Sequence, residues 1–168
     1  MALGEQRKAI SILIYINNLV NDGDQDIYIE MGGAYSGDAY QNSFFLNPGQ
    51  GRNNWICLKL EGTQSNRNAI GTQVKLTFRE NNVLRMVYRD VNSGGSFGAS
   101  PLRREIGIGQ ATTIDEIEIR WHGSKEIQIF KNVTPNRFYK IVEGTNQLQS
   151  VSLKKITWTL PDRLCLPL

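Results

Sequence analysis

Residues 72–91 read TQVKLTFRENNVLRMVYRDV, two runs of alternating apolar and polar residues joined by Asn81-Asn82. Alternation with a period of two is typical of a strand with one buried face, and asparagine tolerates the positive φ of a two-residue type I′ turn. The stretch therefore predicts an antiparallel β-hairpin. The predicted buried face carries the apolar residues Val74, Leu76, Phe78, Leu84, Met86 and Tyr88. The predicted solvent face carries Lys75, Thr77, Arg79, Arg85 and Arg89.

The same alternation recurs along most of the chain. It predicts further strands at residues 9–16, 26–31, 43–47, 55–61, 106–109, 113–122, 125–133 and 138–142. No stretch has helical periodicity, and turn residues separate the strands at intervals of roughly ten residues. We therefore predict an all-β fold, an antiparallel β-sandwich of about seven to nine strands. The predicted core comprises Leu58, Leu60, Val74, Leu76, Phe78, Leu84, Met86, Ile106, Ile117, Ile119, Trp121, Ile129 and Ile141.

Composition limits the chemistry open to this chain. The 168 residues are 40% hydrophobic and 21% charged, which is ordinary for a folded globular protein. His122 is the one histidine, which argues against most histidine-based metal sites and catalytic triads. Cys57 and Cys165 are too few for a disulfide scaffold or a paired-cysteine zinc site. The net charge of +3 permits weak attraction to polyanions without requiring it.

The N-terminal segment has two interpretations. Arg7-Lys8 followed by the apolar residues 9–16 faintly resembles a signal peptide. The apolar run is short and ends at Asn17-Asn18, and its isoleucines alternate as they would in a strand. We favour the strand and identify no clear signal peptide. No run approaches the roughly 18 apolar residues that cross a bilayer, so no membrane span is predicted.

Three ordered motifs in the second half resemble the ASPIC/UnbV domain family. Its opening segment is similar to LEGTQSNRNAIGTQV at residues 60–74, and its central signature to GGSFGASPLRREIGIGQA at 94–111. Its closing segment is similar to NVTPNRFYKIVEG at 132–144. The resemblance covers residues 55–145. Trp121-His122 departs from the Trp-Pro usual in the family, and we expect that difference to alter a hairpin turn, not the fold.

The resemblance also implies a domain organisation. In the cartilage acidic protein-like group, this domain follows FG-GAP/VCBS repeats that form a calcium-binding β-propeller. Residues 1–50 are interpreted as a remnant of one propeller blade and a linker, 51–146 as the sandwich domain and 147–168 as a C-terminal tail. Fifty residues cannot supply the four or more blades of a propeller, so we expect a chain truncated at its N-terminus.

A calcium site is implied by the stretch NDGDQDIYI at residues 21–29, which is similar to the repeat's calcium loop. The resemblance assigns ligands to Asn18, Asp22, Asp26 and the carbonyl of Asp24, while Val20 stands at a ligand position without a side-chain oxygen. Calcium prefers several oxygen ligands, so this degenerate set predicts weak binding at best. The alternative is a turn stabilised by the Asp and Asn side chains without metal, and we favour it.

The resemblance implies a non-catalytic module of an extracellular or surface protein, with a role in adhesion or in glycan or matrix recognition. The weak candidates for glycan contact are Tyr35 and Tyr40, in a glycine-rich loop. An alternative is polyanion or nucleic-acid binding by an arginine-rich face of Arg79, Arg85, Arg89, Arg103 and Arg104, although nucleic acid is the less favoured partner.

A third interpretation is an accessory protein of enediyne-type secondary-metabolite biosynthesis, where related domains occur. It needs a pocket that converges on Glu116, Glu118 or His122. We expect these residues to lie on an exposed strand face and at a hairpin tip, so we predict no enzyme activity. The oligomeric state stays open, as does the ligand.

Overall fold

The computed structural model describes residues 11–32, 40–49, 51, 53–94 and 101–157. These residues form eleven strands and no helix, which confirms the predicted all-β class. The strands are β1 Ser11–Asn17, β2 Asp26–Met31, β3 Ser43–Phe45, β4 Asn54–Glu61, β5 Gln73–Glu80, β6 Val83–Asp90, β7 Arg104–Gly109, β8 Ile114–Arg120, β9 Ile127–Val133, β10 Arg137–Val142 and β11 Leu148–Val151. Accordingly, these ranges contain no helical segment that could cross a membrane.

The strands form three sheets. The N-terminal sheet has the order β1-β2-β3. The sandwich has a β4 sheet of order β11-β10-β4-β7 and a β5 sheet of order β6-β5-β8-β9. Their pairings are antiparallel except for β4 with β10, which run parallel. Strand β11 lies in the predicted C-terminal tail, which therefore contributes an edge strand to the sandwich.

The core lies between the two sandwich sheets. Alternate residues of β4 and β10 face it from one side, and alternate residues of β5 and β8 from the other, as the pleat of a strand requires. Its fully buried members include Ile56, Leu58, Val74, Leu76, Ile106, Ile117, Ile119, Trp121 and Ile141. Trp121 donates its indole N–H to the side-chain oxygen of the buried Gln128. Most of the predicted core is therefore confirmed.

The hairpin of β5 and β6 has the predicted turn but not the predicted faces. Asn81 and Asn82 have φ of 50° and 64°, as a type I′ turn requires. With Glu80 paired to Val83, Leu76 pairs with Val87, and residues paired across two strands share a face. Placing Leu84, Met86 and Tyr88 in the core was therefore wrong. They lie on the outer face, and their exposed fractions are 47%, 52% and 63%.

In the hairpin of β8 and β9, the predicted face of one residue was also wrong. Ile129 pairs with Glu118 on the outer face and is 52% exposed, so its placement in the core was wrong. The residue that turns inward from this part of β9 is Gln128, whose amide nitrogen donates to the carbonyl of Thr145 at 2.6 Å. A polar side chain thus occupies a buried position because it has hydrogen-bonding partners there.

The N-terminal sheet packs against the sandwich through the loop between β1 and β2. Gly23, at φ 105°, lies so close to the indole of Trp55 that a Cβ would overlap the ring. Arg103 donates to the carbonyl of Asn18 at 2.6 Å, and the amide of Ile156 donates to the carbonyl of Val20 at 2.9 Å. These contacts join β1 and β2 to the β4 sheet and to the segment after β11.

A buried carboxylate joins the two sandwich sheets at one end. Glu143, directly after β10, accepts the backbone N–H groups of Thr63, Gln64 and Ser65 at 2.7–2.8 Å. It also accepts the hydroxyls of Ser65 and Ser124. Burial alone raises the pKa of this carboxyl, but the hydrogen bonds outweigh burial and lower the pKa to about 2. Glu143 therefore remains ionised at neutral pH.

Candidate functional site

The outer face of the β5 sheet is a mixed polar and apolar surface. Because β6 and β9 are its edge strands, their apolar residues flank a centre of charged residues on β5 and β8. We call this surface the open face; it carries Gln73, Lys75, Thr77, Arg79, Leu84, Met86, Tyr88, Glu116, Glu118, Arg120, Ile127, Ile129 and Lys131. An exposed aromatic ring among hydrogen-bonding side chains is suited to recognition of an amphipathic ligand.

A shallow hollow of about 190 Å³ lies beside the ring of Tyr88. Its polar lining comes from neighbouring strands, because Lys75 pairs with Tyr88 on one side and with Glu118 on the other. Gln73 and Arg120 form the next pair along these strands. One aromatic ring, one amide and three charged groups thus converge on one small depression.

Ion pairs order the charged groups of this hollow. Glu118 accepts hydrogen bonds from Arg120 Nε at 2.6 Å and from Lys75 Nζ at 3.4 Å. The bond from Arg120 is the main cause that lowers the pKa of Glu118, and Lys75 adds to it. A carboxyl held ionised in this way is a poor general acid. The hollow is therefore better suited to hydrogen bonding than to proton transfer.

The predicted catalytic candidates do not come together. Glu116 pairs with Thr77 and Lys131 on the open face, away from the lining of the Tyr88 hollow. His122 is exposed at the turn after β8 and lies against Gly71. Neither Glu116 nor His122 lines the Tyr88 hollow, whereas Glu118 does. Of the three residues that the accessory-protein interpretation names, Glu118 alone is placed in this hollow, and that interpretation stays a prediction.

The predicted calcium loop lies at residues 18–26, and its oxygens already have partners. Asp26 is buried, and its carboxylate accepts backbone N–H groups from Leu19, Val20 and Asn47 at 2.9–3.3 Å. Asn18 Oδ1 accepts the N–H of Asp22 at 2.9 Å. Among the residues that the structure describes, no three acidic, His or Cys side chains cluster as metal ligands. The loop does not fit calcium well, and calcium binding stays a prediction.

The five arginines predicted to bind polyanions do not share a face. Arg79 lies on the open face, whereas Arg85 and Arg89 pair with Phe78 and Val74 on the inner side of the edge strand. Both are solvent-exposed, as predicted, but their placement on the same face as Arg79 was wrong. Arg103 donates to Asn18 and Arg104 to the carbonyl of Asn92, so both have structural partners. Polyanion binding stays a prediction without a common surface to support it.

The sequence missed Tyr88 as a surface residue. Of the tyrosines proposed for glycan contact, Tyr40 is exposed, and Tyr35 lies outside the described residues. A signal for Tyr88 was present in the sequence. In a hairpin that turns at residues 81–82, the two residue numbers of each cross-strand pair add up to 163. Each pair therefore joins an even-numbered residue to an odd-numbered one, and the two share a face. Tyr88 therefore cannot share the face of Val74.

Comparison with known proteins and protein families identifies the family of this chain. A search of curated proteins gave no match. The family model of ASPIC and UnbV domains matches residues 62–148, which is just over half of the chain and overlaps the three motifs found in the sequence. The matched range runs from the loop after β4 to the start of β11, so it includes the whole β5 sheet and the strands β7 and β10 of the β4 sheet. The chain belongs to the ASPIC and UnbV family.

Proposed function

We propose that this chain is a non-catalytic module that recognises a glycan of the cell surface or matrix through the open face, with Tyr88 as the stacking platform. The observation that carries the proposal is the Tyr88 ring, 63% exposed beside a hollow lined by polar side chains. A large aromatic side chain contributes most to the stability of a fold when it is buried. An exposed tyrosine ring is therefore a candidate for ligand binding.

The chemistry of the hollow agrees with a saccharide. A sugar ring has an apolar face of C–H groups that can cover an aromatic ring, and hydroxyls around its edge that need hydrogen-bonding partners. Gln73 offers both an amide donor and an acceptor, and Lys75 and Arg120 offer donors. The largely buried Glu118 holds Lys75 and Arg120 in place through its two carboxylate oxygens. A few fixed polar groups beside an apolar contact are the usual means of orienting a ligand.

The family supports the same class of function. ASPIC and UnbV domains are generally non-catalytic modules associated with FG-GAP repeat proteins. They are typically found in extracellular or surface proteins, where adhesion and glycan recognition are common tasks. The lowered pKa of Glu118 adds to this, because the carboxyl beside the proposed ligand lacks the raised pKa of a general acid.

Affinity electrophoresis in gels that contain a soluble polysaccharide tests the proposal. The panel comprises neutral polymers (xylan, laminarin, a soluble β-glucan) and acidic ones (hyaluronan, chondroitin sulfate, heparin). We expect at least one polymer to retard the wild-type chain and Tyr88→Ala to remove that retardation. Tyr40→Ala, which deletes an exposed tyrosine elsewhere, is the matched control and should migrate as wild type.

The outcomes separate the candidates. Retardation that Tyr40→Ala removes and Tyr88→Ala leaves intact would contradict the open face and return the site to the loop predicted from the sequence. Retardation only by acidic polymers that is equal in both variants and vanishes with salt indicates polyanion binding, and it contradicts the Tyr88 platform. No retardation by any polymer contradicts glycan recognition.

We propose that the three-stranded N-terminal sheet is the remnant of one propeller blade. Ile14, Ile16, Ile27 and Phe45 lie on one face of the sheet, through the pairs of β1, β2 and β3, and all are exposed. Such an apolar face is what a blade stacks against its neighbours. If it is an association surface, the double variant Ile14→Lys/Ile16→Lys should reduce concentration-dependent self-association in light scattering. Unchanged association would contradict this role.

A further inference from the structure

A cleft of about 620 Å³ lies on the outer face of the β4 sheet, on the opposite side of the sandwich from Tyr88. Its walls come from the end of β1, the strands β4, β10 and β11, the loop after β4, the segment before β7 and the segment after β11. A volume of this size is within the range of small-molecule sites. Neither the family nor the motifs in the sequence assign it a role.

The floor of the cleft is apolar. Cys57 pairs with Phe138 across β4 and β10, and Phe138 pairs with Val151 of β11, so the three side chains form a row across the outer face. Leu102 and Leu153 add to the lining. The pKa of the buried Cys57 thiol is raised to about 12, chiefly by burial, so this side chain is neutral at physiological pH.

The rim of the cleft carries an excess of positive charge. Lys59, Arg67 and Arg103 line it together with the carboxylate of Glu61, and Arg103 is paired with Glu105 at 3.1 Å. Glu61 is already paired with Lys140 at 2.7 Å and with Arg67 at 3.8 Å. Lys59 follows Cys57 by two positions in β4 and therefore points to the same face. Within the described residues, Lys59 has no ion-pair partner.

We propose that this cleft binds a small amphipathic carboxylate, with its aliphatic or aromatic body on the row of Cys57, Phe138 and Val151 and its carboxylate at Lys59. An apolar floor alone would accept a neutral apolar compound, and the cationic rim alone would accept any small anion. The combination selects a ligand with both properties. The site is separate from the open face and does not depend on glycan recognition there.

Isothermal titration of the intact chain with sodium octanoate tests the site, and 1-octanol is the uncharged comparison. Octanoate should bind more tightly than 1-octanol. Lys59→Gln should weaken octanoate about fivefold, since a partly exposed charge pair contributes no more than about a factor of five, and should leave 1-octanol unchanged. Val151→Asp adds a charge to the apolar row on an edge strand and should weaken both ligands at least tenfold.

Two control variants keep the test specific. Lys131→Gln removes the same charge from the opposite side of the sandwich and should leave octanoate affinity unchanged. Tyr88→Ala should also leave it unchanged, which distinguishes this site from the proposed glycan surface. Equal binding of octanoate and 1-octanol, equal weakening by Lys131→Gln, or no effect of Val151→Asp would overturn the proposal. Thermal unfolding of each variant confirms that a lost affinity is not lost structure.

Discussion

The two outer faces of the sandwich differ in what covers them. On the β4 sheet, the N-terminal sheet and the segment after β11 lie over the strands, so Trp55 is only half-exposed and Cys57 is buried. On the open face, Leu84, Met86, Tyr88 and Ile129 are exposed. The same alternating pattern thus accompanies a covered cleft with an apolar floor on the β4 sheet and an uncovered surface, the open face, on the β5 sheet.

This difference shows what an exposed apolar residue indicates. Alternation identifies which residues share a face, but covering segments elsewhere in the chain decide whether that face is buried. A face that stays uncovered while it carries Tyr, Met and Leu is a candidate for binding, since monomers seldom expose such patches without a function.

The largest effect should come from a pair of substitutions that tests the register of the β5–β6 hairpin. Leu76→Ala should destabilise the fold by about 3 kcal/mol, because Leu76 is fully buried between the sheets. Met86→Ala, on the open face, should change the free energy of unfolding by less than about 0.5 kcal/mol. Urea denaturation measures both. Similar losses in the two variants would mean that both faces are covered.

The second-largest effect should come from substitution of Glu143, because this side chain joins the two sheets at one end. Glu143→Gln leaves the N–H groups of residues 63–65 without a charged acceptor and should cost about 2 kcal/mol. The folded pKa of about 2 lies below the ordinary 4.5, so this stabilisation is present above pH 4.5 and is lost as the pH falls toward 2. The difference in the free energy of unfolding between pH 7 and pH 3 should be smaller in the variant than in the wild type. An equal difference contradicts the assignment.

A smaller effect should follow from Gly23→Ala on the covered side. The new Cβ would overlap Trp55 and should displace the β1–β2 loop, with a cost of about 1–2 kcal/mol. Hydrogen exchange should show faster exchange of the Ile156 amide, which bonds to Val20, while the amides of β5 keep their protection. Gly51→Ala is the matched control, because Gly51 has φ 65° and open space around it. Identical exchange in the two variants would contradict the packing of Gly23 on Trp55.

The smallest effect concerns the thiol on the floor of the cleft. With a folded pKa of about 12, Cys57 stays protonated at pH 8 and should react with iodoacetamide far more slowly in the folded chain than in urea. The unfolded thiol ionises near pH 9, so this residue favours unfolding only as the pH rises from about 9 toward 12. Mass spectrometry of peptides follows the reaction. Equal rates in folded and unfolded chains would show that the cleft floor is not buried.

Much of the fold could be predicted from the sequence because strand periodicity and turn residues are local signals. The predicted strands at residues 26–31 and 83–91 agree with β2 and β6, and the Asn81-Asn82 turn has the expected geometry. Strand β11 was missed because Leu148–Val151 is short and does not alternate clearly; it is a strand because β10 offers it an edge. The error at Tyr88 came from counting alternation within each strand without carrying the register across the turn.

The candidate site could be predicted less well, since it depends on contacts between distant residues. The cleft joins Cys57 to Val151 and Arg103, and no local pattern relates them. At Asp26 the sequence suggested a metal ligand, which stays a prediction, but it gave no sign that the carboxylate accepts three backbone N–H groups, one of them from Asn47. The hydrogen bonds of Asp26 depend on the position of the loop that contains Asn47, which is distant in sequence.

The measurement that tests the central claim most directly is amide chemical-shift mapping of the labelled chain with the polysaccharide that retards it in the gel. We expect the shifted amides to include those of Lys75, Tyr88 and Glu118, and the amides of Lys59 and Phe138 in the cleft to stay unchanged. Shifts confined to the β4 sheet, or to the loop of Tyr40, would contradict glycan recognition by the open face.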